Sequence, residues 1–111
     1  APKTPALIVN PDEWEAVMAL VIAKEIRLGL LASPQIIDRY QASAQATYSY
    51  EGEGVEAAAK GLFAGLRALD EAAIDVILVP TFPEEGLGVA YMNRLKKATN
   101  QLNFLEQLTA E

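Results

Sequence analysis

The chain has 111 residues, enough for one modest core, and area scaling predicts a folded surface of roughly 6,000 Å² with about 65% of the extended chain's area buried. Apolar residues make up 51% and charged residues 22%, a balance that offsets ordering entropy and argues against intrinsic disorder. With 15 acids against 9 bases the formal charge is -6, which opposes direct binding of tRNA or DNA, and the absence of cysteine and histidine removes disulfides, thiol and Ser-His-Asp nucleophiles and the commonest zinc ligands.

Apolar runs such as "MALVIA" and "DVILVP" are much shorter than a bilayer span, and no basic leader precedes an apolar segment. The expectation is a soluble, cytoplasmic protein.

"PALIV", Pro5 to Val9, reads as a short strand. In the following "NPDEWEAVMALVIAKEI", Asn10 is a cap, Pro11 takes the first helical position and two acids occupy the first turn. Trp14, Val17, Met18, Val21 and Ile22 recur at helical spacing and are expected to cover a sheet. "RLGLLAS", Arg27 to Ser33, is a second strand, and Ser33-Pro34 starts a short helix through Ile36, Ile37 and Tyr40. "ATYSYEG", Ala46 to Gly52, has the β-branched and aromatic content of a third strand, at an edge or in the centre.

The turn "EGEG" precedes the strongest helix, in which Val55, Ala59, Leu62, Leu66, Leu69 and Ala73 form one stripe and Glu56, Lys60, Arg67 and Glu71 lie on another face. Glu56 and Lys60 are ordered for a weak i,i+4 attraction. Gly61 and Gly65 each cost about 1 kcal/mol against alanine in a helix interior, which points either to close approach of a neighbour or to tolerance in a stable domain. "IDVILV", Ile74 to Val79, is almost uninterruptedly apolar, as in a strand covered on both faces. A helix follows from about Leu87 to Thr99, with Val89, Met92, Leu95 and Ala98 as its core stripe, and Asn100 restarts a last helix carrying Leu102, Phe104, Leu105 and Leu108. Strand-to-helix alternation makes this an α/β domain, a small open sheet with helices on both faces.

No stretch carries convergent chemistry. Glycines after the strand ending at Val79 would suit a phosphate loop, but the GxGxxG and GxxxxGK[ST] spacings are absent and Glu84 and Glu85 stand where the anion would arrive. A structural turn, with a protein interface as the alternative, fits better. Arg94 either pairs with an anion or complements the C-terminal half of its helix, with Asn93, Lys96 and Lys97 on neighbouring polar faces. "EGEG" reads as a solvated turn rather than a cation loop, since two glutamates do not specify magnesium or calcium. Asp38, Asp70 and Asp75 are candidates for an acid/base pair only if the fold assembles them, and capping or surface roles come first. Tyr48 and Tyr50 share one side of a strand and serve packing before they serve ligand stacking.

Taken together, "LFAGLRALD", "IDVILVP" and "EEGLGVAYMNRLKKAT" resemble the C-terminal accessory domain of the long, two-domain threonylcarbamoyladenylate synthases, related to the YrdC/YwlC family. The opening "APKTP" is similar to the segment that follows the His-Tyr of that family's interdomain linker. The resemblance implies a Rossmann-like fold, residues 1–5 as the end of the linker and 6–111 as one accessory domain. It also implies a parent enzyme that converts ATP, threonine and bicarbonate to threonylcarbamoyladenylate for N6-threonylcarbamoyladenosine in tRNA. Because that chemistry, with its ATP and magnesium site, belongs to a separate N-terminal domain, no catalytic, cofactor-binding or metal residue is carried over to this chain. The expected partner is that catalytic domain in cis, with Ala1, Pro2 and Lys3 as linker and Gly86, Leu87, Gly88, Asn93 and Arg94 as interface or fold-signature residues. The alternatives are an independent small-ligand or nucleotide sensor using the crevice at the strand ends, and a protein-binding module.

Overall fold

The computed structural model describes residues 3–99 and 102–109. Ala6–Val9 (β1), Leu28–Ala32 (β2), Ala46–Ser49 (β3) and Val76–Pro80 (β4) form one sheet in the order β1-β4-β2-β3, and every pairing is parallel. Trp14–Ala23 (α1) connects β1 to β2, Pro34–Tyr40 (α2) connects β2 to β3, and Val55–Asp70 (α3) connects β3 to β4. Leu87–Thr99 (α4) and Phe104–Thr109 (α5) complete the fold. The solvent-accessible surface is 6194 Å², close to the expectation from chain length.

Period-two alternation in the central strands divides the core into two layers. Leu31, Ile77 and Val79 face α3 and α4, whereas Leu28, Leu30, Val76 and Leu78 face α1, α2 and α5. All residues of β2 and β4 are buried, which is why their sequences show apolar runs rather than alternation. β3 is an edge strand, and its outward Thr47 and Ser49 are exposed while Ala46 and Tyr48 are partly covered.

Local chemistry explains the helix starts. The Asn10 amide donates to Glu13 Oε1 at 2.8 Å across a 3-10 turn, Pro11–Glu13, so α1 proper begins at Trp14. Asn10 is the N-cap of this turn, in a capping box with Glu13, and its Oδ1 also accepts from the Thr81 hydroxyl at 3.0 Å, which ties the ends of β1 and β4 together. α2 starts at Ser33-Pro34 as the sequence indicates. The cap of α5 is Asn103, whose Oδ1 accepts from the Glu106 amide at 3.0 Å while its Nδ2 donates to Glu13. Asn100, the expected restart, lies outside the described residues, and Leu102 precedes the helix.

The close-approach reading of the α3 glycines holds. A Cβ on Gly61 would stand 2.8 Å from the Tyr50 ring, and one on Gly65 would run into the Leu31 side chain and lie 3.0 Å from Tyr48. Tyr48 and Tyr50 are therefore packing residues under α3.

Four expected core positions are corrected. Ile22 is 62% exposed, because α1 is apolar nearly all round and the face that packs on the sheet is Trp14, Val17, Met18 and Val21, with Leu20 partly buried beside them. Ala73 is exposed because α3 stops at Asp70, and Ala58 rather than Ala59 is the fully buried alanine of its first turns. Val89 is 52% exposed, and the α4 stripe is instead Gly88, Tyr91, Met92, Leu95 and Thr99. Among the described residues no helix is long and apolar enough to cross a membrane.

Candidate functional site

The corner ahead of α4 is closed architecture. Gly86 has φ +56, a left-handed conformation that glycine adopts without penalty, and space beside it is open. Gly88 is needed for a different reason: a Cβ there would collide with the Pro83 carbonyl oxygen, so the first turn of α4 presses onto its own loop. Glu84, one of the two acids that argued against a phosphate cradle, pairs with Lys96 of the same helix. Leu87 and Asn93 are exposed.

Beneath this corner lies a chain of buried hydroxyls. Tyr91 donates to the Pro80 carbonyl at 2.9 Å, which leaves its oxygen to accept from Tyr50 at 3.4 Å. Burial pushes the Tyr91 hydroxyl up to about 12 and raises that of Tyr50 further, the latter reinforced by Tyr91. Both rings stay neutral at physiological pH and act as fixed donors joining β4 to the layer above it.

The entering chain is tied down at the far end of α3. The Thr4 and Lys3 amides donate to Asp70, at 2.7 Å to Oδ1 and 3.2 Å to Oδ2. These backbone hydrogen bonds, that from Thr4 foremost, hold the Asp70 carboxyl below the usual carboxylate range. Asp75 is lowered for a separate reason, the side chain and then the amide of Arg27, with a 2.9 Å ion pair. Asp38, Asp70 and Asp75 are thus not assembled into an acid/base pair by any contact: two of them anchor backbone. Of the expected linker residues, Lys3 takes part in this anchor, and Ala1 and Pro2 lie outside the described residues.

Asp70 also lines a groove of about 460 Å³ between α3 and α4, together with Phe63, Leu66 and Arg67 from α3 and Arg94, Lys97 and Ala98 from α4. Positions 63, 66, 67 and 70 follow the i, i+3, i+4, i+7 spacing of one helix face, and 94, 97 and 98 do the same on the other helix. Arg94 is thereby brought to Arg67 and Lys97, some two turns from the glycine corner, about 10 Å along the axis. The five residues grouped by the sequence do not form one site. Arg67 and Lys97 were missed because only the α3–α4 contact unites them.

A second depression, about 500 Å³, sits at the C-terminal ends of β1, β2 and β4, where connections leave for opposite faces of the sheet. Trp14, Tyr40 and Phe82 supply aromatic wall, and the first two stack at 6.1 Å between centroids. The "EGEG" turn contributes Glu53, whose carboxylate accepts from the Gln35 amide at 3.0 Å, a structural tie rather than a cation loop. Among the described residues no group of three or more Asp or Glu is placed to hold a metal ion.

The sequence profile of the family described as "Threonylcarbamoyl-AMP synthase, C-terminal domain" matches residues 1–100. A threonylcarbamoyl-AMP synthase of Pyrococcus abyssi is 50% identical over 50 residues, 45% of this chain and 15% of that protein. The structure of Pyrococcus abyssi Sua5 complexed with L-threonine superposes with a TM-score of 0.70 at 30% identity, over 90% of this chain and 29% of that one. A C-terminal Sua5 domain from Pyrococcus horikoshii matches with a TM-score of 0.59 at 29% identity, over 85% of this chain and 91% of that domain. The chain thus spans a small part of the long relatives and nearly all of the separate domain. With a parallel α/β sheet in common and a profile match over most of its length, the chain belongs to the threonylcarbamoyl-AMP synthase C-terminal domain family.

Proposed function

We propose that this chain is the accessory C-terminal domain of an ATP-dependent, cytoplasmic threonylcarbamoyl-AMP synthase acting in tRNA N6-threonylcarbamoyladenosine formation, and that it positions the linker and steadies the catalytic domain without performing chemistry. The observation that carries the reading is the anchor at Asp70. Two amides of the entering segment are fixed on one carboxylate, so the direction in which the linker leaves the domain is set by α3. Rigid positioning of this kind affects a distant reaction through geometry alone. ATP and magnesium belong to the catalytic domain, and residues 1–5 are the end of the linker leading to it. Gly86 and Gly88 serve as fold signature, Leu87 and Asn93 as exposed flanks, and Arg94 as part of the interface.

The test compares threonylcarbamoyl-AMP formation by the isolated chain, the catalytic half and their covalently joined form. The joined form is expected to exceed the catalytic half in activity or thermal stability, with no turnover by the isolated chain. Equal activity, stability and substrate affinity with and without this domain would end the proposal.

One observation favours a second reading, a small-ligand sensor. Among the described residues the buried Tyr40 hydroxyl has no hydrogen-bond partner, and Tyr40 lines the strand-end depression. Amide shifts around Ser33 to Tyr40 on titration with ATP, AMP or threonine would support a sensor; their absence at millimolar ligand would count against it.

A further inference from the structure

The charges of the α3–α4 groove are out of keeping with the chain that carries them. In a polypeptide of formal charge -6, four cations are committed to ion pairs: Arg27 to Asp75, Arg39 to Glu15, Lys60 to Glu56 and Lys96 to Glu84. Arg67, Arg94 and Lys97 have no ion-pair partner among the described residues, yet all three line one groove. Its single carboxylate, Asp70, is already engaged by the Lys3 and Thr4 amides and lies in the field of the Lys3 charge. The groove carries a local excess of positive charge whose members repel one another, a cost that an incoming carboxylate relieves. Its floor is apolar: Leu66 is buried and Phe63, at 49% exposure, presents an open aromatic edge. Exposed aromatic and arginine side chains around a desolvated centre are the composition of protein-binding surfaces, and guanidinium groups match carboxylates in pairs of hydrogen bonds.

The occupant follows from where the chain enters. Because Lys3 and Thr4 are pinned to Asp70 on the groove's own wall, any polypeptide ahead of Lys3 leaves from its edge. A domain tethered there meets the groove intramolecularly, at an effective concentration set by its linker, so that individually weak charge pairs suffice to hold it. We infer that the α3–α4 groove is the docking surface for an acidic face of the domain preceding this one in the synthase, with Arg67, Arg94 and Lys97 pairing its carboxylates and Phe63 covering its apolar centre. This rests on the accessory-domain reading above, and it moves the interface from the glycine corner to the opposite half of α4.

The test uses the intact synthase that contains this domain. A zero-length carbodiimide, which joins a lysine amine to a carboxylate in direct contact, is applied and the products are mapped by mass spectrometry. Lys97 is expected to couple to an Asp or Glu of the preceding domain. The yield should fall severalfold when salt is raised from about 0.1 M to about 1 M, as the screening length shrinks from about 10 Å to about 3 Å. In parallel, Arg67→Glu, Arg94→Glu and Lys97→Glu are combined and the radius of gyration is measured by small-angle scattering. The variant should expand relative to wild type, while the same substitutions in the isolated chain leave its circular dichroism and melting temperature unchanged. Should the triple reversal fail to fold, the corresponding glutamine variant replaces it, and the cross-link on wild type needs no variant. A compact wild type with Lys97 uncoupled and an equally compact variant overturns the groove while leaving the accessory role intact. A wild type whose two domains scatter as independent bodies overturns both.

Discussion

At its N-terminal end α4 is closed down onto its own loop, whereas its C-terminal half holds two cations open in a groove. The first region contains the residues that look most like a motif: two glycines after a buried strand. There the glycines are consumed internally, Gly88 by the Pro83 carbonyl and Gly86 by a left-handed backbone. The second region has ordinary surface composition, yet Arg94 and Lys97 meet Arg67 across the helix pair and none of them has an ion-pair partner among the described residues. Glycine punctuation reports backbone geometry; uncommitted charge reports what the surface still lacks.

Substitutions sharpen that contrast. Gly88→Ala should be the most damaging single change, near the upper end of the overpacking range at about 3 kcal/mol, because the obstacle is backbone and cannot rotate away. Chemical denaturation of the isolated chain measures it. Tyr91→Phe comes next, at about 1–3 kcal/mol, since it leaves the Pro80 carbonyl and the Tyr50 hydroxyl without their buried partner. Gly86→Ala should cost only about 1–2 kcal/mol, the penalty for a side chain in the left-handed region with open space around it. If Gly86→Ala proved worse than Gly88→Ala, the packing account of the corner would be wrong.

A smaller effect comes from the linker anchor and the Arg27 pair. Asp70 and Asp75 have folded-state pKa values below their unfolded ones, so their stabilisation is fully present above the unfolded carboxylate pKa of about 3.9 and is lost as pH falls through the folded values. Melting temperatures between neutral pH and pH 2 should therefore drop less steeply for Asp70→Asn with Asp75→Asn than for wild type. Identical slopes would show that neither carboxylate is bound more tightly in the folded state.

The architecture was largely legible in the sequence because its signals are local. Pro11, Pro34 and the apolar run of β4 mark their elements, and the span of α4 follows from helical periodicity alone. Positions that needed a neighbour were not legible. Ile22 could not be placed because α1 is apolar on nearly every side. Tyr91 is absent from the expected stripe of α4; a tyrosine is buried readily only with an acceptor, and the Pro80 carbonyl becomes one only after β4 and α4 pack together. The edge position of β3 depends on strand order, which no residue within Ala46–Ser49 encodes. The groove was invisible for the same reason, with its cations 27 to 30 positions apart in sequence on two separate helix faces.

The division of α4 into a closed end and a docking end is tested most directly by comparing backbone amide spectra of the isolated chain with those of the same domain, segmentally labelled, inside the intact synthase. The account predicts shifts concentrated at Phe63 to Asp70 and Arg94 to Ala98, with Glu84 to Val89 unchanged. Shifts centred on Gly86 and Leu87, over an unperturbed groove, would contradict it.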